Sequence, residues 1–318
     1  MRALVARYPA LGALARADLG VAETPVERWV VNGTALHIKR DDLSAAAVGG
    51  NKVRALELLF GGLPAGTTVL TVGPTGSTHA LAVAEHGQRL GLATEVLTWP
   101  QEEHDVSRAT ARRMTAVARV TPTGSVAEAY ARAFVRRIGG GVRWIPAGGS
   151  VALGALGQVG AGIELAEQVA QGLLPTPHTL VVPLGSGGTA AGLLLGLAIA
   201  GLPTRVVGVQ VVPRLVASRR RVLALAGRTR ALLSRHAGGE LPALDASRLE
   251  VDRGAYGGAY GRTTDAGSAA AAALVRAGGP GLDPTYSAKA FVVALERARR
   301  APAEPVLFWL TFDGRWLD

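Results

Sequence analysis

The chain has 318 residues, 48% of them hydrophobic and 18% charged, which predicts one large or two interlocked folded domains and excludes a disordered protein. Its net charge of +10 could attract nucleic acid, but the arginines are spread along the chain with few aromatic residues between them, so we expect no nucleic-acid partner. There is no cysteine, which excludes disulfides and thiolate chemistry, and neither a signal sequence nor a membrane-spanning run is visible, so we expect a cytoplasmic protein that contacts no membrane.

The first predicted elements lead to an unusual lysine. A short strand at 35–38 is followed by Asp41 and Asp42, which we interpret as caps and ion-pair partners because adjacent carboxylates point in different directions. Lys52 then follows the sequence Gly-Gly-Asn at 49–51 and leads into an apolar helical run at 55–60. Such a lysine could be an ordinary surface residue after a turn, or the reactive amine of a covalent site.

Lysine is rare in this chain, because arginine supplies nearly all of the positive charge. The lysines are Lys39, Lys52 and Lys289. An amine that loses its proton and forms an imine must be a lysine, since guanidinium stays protonated. Imine chemistry therefore has three candidates, and Lys52 has the most unusual sequence around it.

Strands and helices alternate through the rest of the chain. We predict strands at 67–72, 94–98, 142–145, 179–184, 205–211 and 305–310. We predict one helix that follows His79 and ends near residue 90, and further helices at 105–117, 127–138, 156–171, 190–200, 216–235, 264–277 and 287–299. Connections of helical length predict parallel sheets that are covered on both faces. Two such sets without a linker indicate two α/β domains with a cleft between them.

Hydroxyl side chains lie at the turn after strand 67–72, where Ser77 and Thr78 precede His79. The hydroxyls could simply cap the next helix, or they could bind a carboxylate together with the free amides of the helix. The six histidines lack metal-ligand spacing and no Ser/His/Asp set is visible, so we predict no metal site and no serine nucleophile.

A glycine-rich loop connects the apolar strand 179–184 to a helix, and it consists of Gly185, Ser186, Gly187, Gly188 and Thr189. A Walker A loop would need Gly-Lys-Ser/Thr, and a dinucleotide site would need an acidic residue at the end of the next strand; both are missing. A monophosphate site and a plain strand–helix turn stay open as interpretations. We interpret the later arginine run at 219–221 as a solvated helix face.

Two of the five tyrosines lie in loops bounded by glycine or proline, just before predicted helices. Tyr260 lies in Tyr-Gly-Gly-Ala-Tyr-Gly and Tyr286 in Asp-Pro-Thr-Tyr. A phenol can relay protons or hold a substrate group, but surface loop tyrosines are equally common. Together, a lysine after Gly-Gly-Asn, a monophosphate loop and a carboxylate-binding turn fit one cofactor, pyridoxal 5′-phosphate.

At this point the chain resembles the fold-type II pyridoxal-phosphate enzymes, specifically the family of D-cysteine desulfhydrase and 1-aminocyclopropane-1-carboxylate deaminase. The matching segments follow the family order along nearly the whole chain: 39–43, 49–52, 148–150, 153–157, 185–189, 260–261 and 283–286. The resemblance implies two interlocked three-layer α/β/α domains with mainly parallel sheets, like the tryptophan synthase β subunit. It implies a large cofactor-binding domain at 1–49 and 163–318, a small domain at 50–162, and a homodimer.

The resemblance also implies roles for individual residues. Lys52 would form the Schiff base and move the α-proton, with Asn51 beside it. Gly185, Ser186, Gly187, Gly188 and Thr189 would hold the phosphate. Substrate and cofactor oxygens would be held by Ser77, Thr78 and His79, and the substrate side would be lined by Tyr260 and Tyr286.

Ser287 falls where the partner of the cofactor's ring nitrogen is expected; the deaminases have glutamate there and the desulfhydrases threonine. A hydroxyl there weakens the electron sink, which favours β-elimination or α-proton exchange over opening of a cyclopropane. The chain departs from the family at Thr78, where asparagine is usual, at Val151, also usually asparagine, and at 308–313, which lacks Thr-Gly-Gly.

The leading hypothesis is a pyridoxal-phosphate lyase that acts on a small amino acid, D-cysteine or a related β-substituted amino acid, and forms pyruvate and ammonia. A deaminase, racemase or biosynthetic enzyme on the same scaffold is the first alternative. A non-catalytic protein that binds the cofactor, or a basic protein that binds nucleic acid, is the second.

Overall fold

The computed structural model describes residues 1–238, 240–315 and 317. Its strands are β1 (Val26–Val31), β2 (Thr34–Lys39), β3 (Thr68–Pro74), β4 (Ala93–Trp99), β5 (Arg119–Pro122), β6 (Val142–Ile145), β7 (Thr179–Leu184), β8 (Arg205–Gln210), β9 (Leu249–Asp252) and β10 (Val306–Trp309). Its α-helices are α1 (Arg2–Arg7), α2 (Asn51–Leu59), α3 (Thr78–Arg89), α4 (Asp105–Val117), α5 (Val126–Ile138), α6 (Ala152–Ala170), α7 (Gly188–Ile199), α8 (Arg219–Ala237), α9 (Asp265–Arg276) and α10 (Ser287–Arg300). None of these helices is long and apolar enough to cross a membrane.

The strands form two sheets. One has six strands in the order β1-β2-β10-β7-β8-β9, and the other has four in the order β5-β4-β3-β6. The pair β1 and β2 is antiparallel, and the remaining neighbours are parallel. The fold class predicted from the sequence, two α/β units with mainly parallel sheets, is confirmed.

The six-stranded sheet is covered by helices on both faces. Alternate residues of a strand point to opposite faces, and in β7 the side chains of Leu180 and Val182 pack with α7 and α8. The side chain of Val181 packs on the other face with Leu274 of α9 and Phe291 of α10. This double burial explains why β7 reads as a continuous apolar run in the sequence.

The four-stranded sheet is also a central layer. Val69 of β3 packs with Leu56 of α2 and Leu81 of α3 on one face, whereas Leu70 packs with Ala129 of α5 on the other. Both sheets therefore have the three-layer arrangement expected from the resemblance. Their parallel strands end at one edge of each sheet, and loops at those edges are where parallel sheets bind ligands.

Some elements differ from the sequence-based predictions. Helix α2 begins at Asn51, so Lys52 lies in its first turn, and α6 begins at Ala152 rather than at residue 156. Strands β1, β5 and β9 were not predicted, since they are short or carry charged residues. Helix α6 is continuous across residues 162 and 163, where the domain boundary was placed; that boundary stays a prediction.

Asp41 and Asp42 each form an ion pair with an arginine, as predicted. Asp41 Oδ1 lies 2.6 Å from Arg54 Nε, and Asp42 Oδ2 lies 2.8 Å from Arg40 Nη2. The predicted capping role is wrong, because both aspartates lie inside a short 3₁₀ turn whose N-cap residue is Arg40 and which has no side-chain cap.

Candidate active site

A cavity of about 460 Å³ lies between the two sheets, at the carboxyl ends of their strands. Pro74 at the end of β3, Gly185 after β7 and Thr311 after β10 all line it. The loops that follow parallel strands therefore meet there, as expected for a ligand site in this class of fold.

Lys52 lines this cavity, and its amine has no hydrogen-bond or ion-pair partner among the described residues. Burial lowers the pKa of Lys52 from 10.5 to about 8. The other two lysines are engaged: Lys39 Nζ lies 2.6 Å from Glu164 Oε1, and Lys289 Nζ donates to the carbonyl of Tyr256 at 2.9 Å. Lys52 is therefore the lysine whose amine is free to react.

The turn before Lys52 is held by the segment after β10. The amide of Asn51 donates to the Thr311 carbonyl at 3.1 Å, and the amide of Gly49 donates to Asp313 Oδ2 at 2.9 Å. Gly50 has a φ of 100°, and a Cβ there would lie 2.4 Å from the Thr311 oxygen. This position therefore requires glycine, because backbone lies where a side chain would begin.

The glycine-rich loop after β7 forms the opposite wall. Gly187 is the N-cap of α7 with a left-handed φ of 93°, so the first amides of α7 lack helical partners. Ser186 Oγ is 2.6 Å from Ser150 Oγ, which also accepts from the Gly188 amide at 3.2 Å. Hydroxyls and free amides at a helix N-terminus suit a phosphate group.

Asn51 connects this loop to the lysine turn. Its Nδ2 donates to Thr189 Oγ1 at 2.7 Å, and its carbonyl accepts from Gln158 Nε2 at 2.7 Å. The residue before Lys52 is therefore fixed relative to the first turn of α7. This link joins the turn that carries Lys52 to the glycine-rich loop.

Ser77 and Thr78 lie at the start of α3 on the cavity wall. Ser77 Oγ accepts from the Ala80 amide at 3.2 Å, so Ser77 does cap the helix. His79 also lines the cavity, but burial and the charge of Lys52 lower its pKa to about 3. This imidazole therefore stays neutral near pH 7 and is a poor proton acceptor.

Tyr260 and Tyr286 meet on the cavity wall, where their hydroxyl groups hydrogen-bond to each other. Burial raises the pKa of Tyr286 to about 12, although bonds from Tyr260 and Thr78 oppose the shift. Burial also raises the pKa of Tyr260 well above 10. Both phenols keep their protons near neutral pH, so they are suited to donate them.

The structure brings all but one of the predicted site residues to this single cavity: Asn51, Lys52, Ser77, Thr78, His79, Gly185, Ser186, Gly187, Gly188, Thr189, Tyr260 and Tyr286. Ser287 is the exception. It is fully buried and lies off the cavity wall, and its amide donates to Asp283 at 3.0 Å. The neighbouring residue Tyr286 takes the wall position, because successive residues at a helix start point in different directions.

Several wall residues were missed in the sequence. Thr311 and Asp313 belong to segment 308–313, which was noted as a departure from the family but given no site role; they follow β10, where ligands bind in parallel sheets. Trp99 at the end of β4 carries the same signal. Tyr130, in the middle of the sequence of α5, carries no local signal, because only the packing of the two sheets brings it to the cavity.

These residues fit pyridoxal 5′-phosphate. The unpartnered amine of Lys52 suits an aldehyde, and the loop at 185–189 suits a phosphate. Ser77, Thr78 and Thr311 also line the cavity, and their hydroxyl groups would supply neutral partners for the ring and for a substrate carboxylate. Among the described residues no group of three histidine or acidic side chains could hold a metal ion.

Comparisons with known proteins agree with this geometry. The family described as pyridoxal-phosphate dependent enzyme matches residues 17–311. Nocardicin C-9′ epimerase of Nocardia uniformis subsp. tsuyamanensis is 37% identical, over 96% of this chain and 94% of that protein. D-cysteine desulfhydrase of Serratia proteamaculans is 32% identical, over 92% of each chain. A crystal structure of an ACC deaminase homologue superposes with a TM-score of 0.79 at 28% identity, over 99% of this chain and 95% of that one.

Proposed function

The chain belongs to the family of pyridoxal-phosphate dependent enzymes, and on that premise we propose that Lys52 holds the cofactor and exchanges the α-proton of a free amino acid. The observation that carries this proposal is the amine of Lys52, which lines the cavity without a partner while the other two lysines are engaged. Pyridoxal phosphate, when bound, supplies an electron sink for negative charge at the substrate α-carbon.

The chain's own residues divide the remaining tasks. Lys52, with its pKa near 8, is suited to take a proton from the α-carbon and to return it. Ser77 and Thr78 at the start of α3 would bind the substrate carboxylate. Tyr286, which stays protonated, would donate its proton to a departing group, and Tyr260 would share that proton through the hydrogen bond between the two hydroxyls.

The leading reaction is β-elimination from D-cysteine or a related β-substituted amino acid. The Cα–H bond breaks with its proton passing to Lys52, and the Cβ–S bond breaks with the sulfur keeping the electron pair. Overall, D-cysteine and water give pyruvate, ammonia and hydrogen sulfide. The D-cysteine desulfhydrase relative supports this reaction.

Epimerisation at the α-carbon is the second candidate, because one cavity holds a base and two protonated phenols. Lys52 could remove the α-proton while Tyr260 or Tyr286 delivers one to the same carbon. The epimerase relative, at 37% identity, supports this reaction. Such a reaction inverts the centre and releases no pyruvate.

A panel of D- and L-amino acids in D₂O distinguishes the two reactions. Elimination predicts pyruvate and, from cysteine, sulfide; epimerisation predicts α-deuterium in both enantiomers without pyruvate. A Lys52→Ala variant serves as the control and should do neither. An enzyme that holds the cofactor but exchanges no α-proton from any amino acid would contradict the proposal.

We also propose that the protein works as a homodimer, as its resemblance to the family implies, and in the cytoplasm, as its sequence leads us to expect. Light scattering on the purified protein with cofactor tests the dimer, for which the expected mass is twice 32.6 kDa. A mass of one chain at working concentration would contradict it.

A further inference from the structure

The cavity extends beyond the residues proposed to hold the cofactor and the substrate carboxylate. We call this extension the outer arm, and its walls are formed by Trp99, Val126, Tyr130, Val212, Pro213 and Val216. None of these side chains carries a charge, although the guanidinium of Arg221 in the first turn of α8 acts on Tyr130: burial raises the pKa of Tyr130, and this charge opposes the shift. Three of them are substantially exposed: Val126 at 49%, Tyr130 at 43% and Val216 at 37%.

On the opposite side of the cavity, an ion pair and a hydrogen bond connect the loop after β4 to the loops before α9 and α10. After β4, Glu102 forms an ion pair with Arg262, whose Nε lies 3.0 Å from Oε1. His104 Nε2 lies 2.7 Å from Thr285 Oγ1. These bonds tie the four-stranded half to the two loops that carry Tyr260 and Tyr286.

No such bond closes the outer arm. Among the described residues, no hydrogen bond or ion pair joins α5 to segment 211–218. A ligand held at Lys52 can therefore extend past the reacting carbon on this side, toward Tyr130 and Val216.

The aromatic wall of the outer arm is fixed by its neighbours. The Tyr130 ring lies 6.2 Å from the Trp99 ring and 6.4 Å from the Trp144 ring, centroid to centroid, and the second contact is edge-on. Rings at these distances and angles favour each other. Tyr130 therefore packs against two aromatic rings although 43% of it is exposed.

We propose that the outer arm binds a bulky, aromatic side-chain group of the amino-acid substrate, beyond the β-carbon. This inference rests on the proposed function, because it assumes that the α-carbon reacts at Lys52. Walls formed by hydrophobic and aromatic side chains favour an aromatic group over a polar one, since burying an unpaired polar group costs free energy. The unsubstituted side chain of cysteine would leave these walls in contact with water.

Two matched probes test the inference, S-benzylcysteine and S-methylcysteine, each as D and L enantiomers. They share the reacting carbons and the leaving sulfur atom, and they differ in the group that would enter the outer arm. Exchange of the α-proton in D₂O is followed by NMR, and pyruvate is assayed in parallel. We expect kcat/KM for the benzyl probe to exceed that for the methyl probe by about tenfold or more, as apolar burial of a ring allows.

Variants on both walls locate the effect. Tyr130→Ala should remove most of the benzyl preference, whereas Tyr130→Phe, which keeps the ring, should retain it. Val216→Asp tests the other wall without changing the aromatic packing. It should lower kcat/KM for the benzyl probe more than kcat/KM for the methyl probe. Phe134→Ala, one turn further along α5 and outside this cavity, should leave the preference unchanged.

The outcomes separate the two proposals. Equal kcat/KM for both probes, or a benzyl preference that survives both Tyr130→Ala and Val216→Asp, overturns the outer arm and leaves the proposed function intact. Failure of both probes and of every other amino acid to exchange overturns the proposed function itself.

Discussion

At the scale of single residues, the chemistry depends on the state of one amine. Lys52 loses its charge more easily than a free lysine because burial disfavours the ammonium form. The other two lysines have partners: Lys39 forms an ion pair, and Lys289 donates a hydrogen bond to a backbone carbonyl. The sequence could identify Lys52 as a candidate by its neighbours; only the fold shows that its amine has no partner.

The pH dependence of cofactor attachment tests this state. The lowered pKa means that Lys52 is mainly charged below pH 8 and mainly neutral above it. The rate at which cofactor-depleted protein binds pyridoxal phosphate covalently should therefore rise up to about pH 8 and then level off. Absorbance after rapid mixing measures this rate.

A free model amine is the control for that experiment. Its rate should keep rising toward about pH 10.4, the ordinary pKa of a lysine side chain. A protein profile that follows the model amine would show that Lys52 is not perturbed by burial.

At the scale of elements, the structure explains both the successes and the failures of sequence reasoning. The glycine-rich loop was identified because glycines leave a local signal, whereas the start of α2 lies earlier than the predicted apolar run. Ser287 lies off the cavity wall because one residue's rotation at the start of α10 decides which side chain faces the cavity, and its role toward the ring nitrogen stays a prediction. Tyr130 was missed because long-range packing alone brings α5 there.

The turn before Lys52 gives the prediction at this scale. Gly50→Ala would place a Cβ against the Thr311 carbonyl and would force alanine to adopt a positive φ. Together these two effects should lower the free energy of unfolding by about 1–3 kcal/mol or more. Because this turn positions Lys52, the variant should have both a lower affinity for pyridoxal phosphate and a lower melting temperature. Titration of the cofactor and thermal unfolding measure the two effects.

Gly227→Ala is the matched control. Gly227 lies inside α8, and a Cβ there would meet nothing within 4 Å. Alanine is the better helix former, so this variant should be neutral or slightly stabilising. Unchanged cofactor affinity in Gly50→Ala would contradict the role of the turn.

At the scale of the whole molecule, a buried charge network joins the two sheets. Glu164 of α6 accepts from Arg54 of α2 at 3.0 Å and from Lys39 at the end of β2 at 2.6 Å. Arg54 also pairs with Asp41. The helix that carries Lys52 is thereby fixed to the six-stranded sheet. From the sequence these residues could be recognised as charged but not as partners, since 110 positions separate Arg54 from Glu164.

Removing one charge of this network should be costly. Glu164→Gln removes the negative charge that pairs with the buried cations of Arg54 and Lys39. It should therefore lower the free energy of unfolding by about 3–5 kcal/mol. Urea unfolding of the cofactor-loaded protein measures the loss. Glu167→Gln, one turn along α6 and exposed, is the control and should change it by less than about 0.5 kcal/mol.

The same residue sets an acid limit on stability. Burial alone would raise the pKa of Glu164, but Arg54 and Lys39 lower it to about 2, below its ordinary value of 4.5. Its contribution is therefore complete above pH 4.5 and is lost as the pH falls from 4.5 to about 2. Glu164→Gln should unfold with a shallower pH dependence in that range; an unchanged slope would contradict the assignment.

The identity of the lysine that holds the cofactor is the central claim, and reductive trapping tests it most directly. Borohydride treatment of the protein with pyridoxal phosphate, followed by digestion and mass spectrometry, fixes the cofactor on whichever of the three lysines binds it. We predict the label on the peptide that contains Lys52 and its loss in Lys52→Ala. A label on Lys39 or Lys289, or a Lys52→Ala variant that is still labelled, would contradict the account.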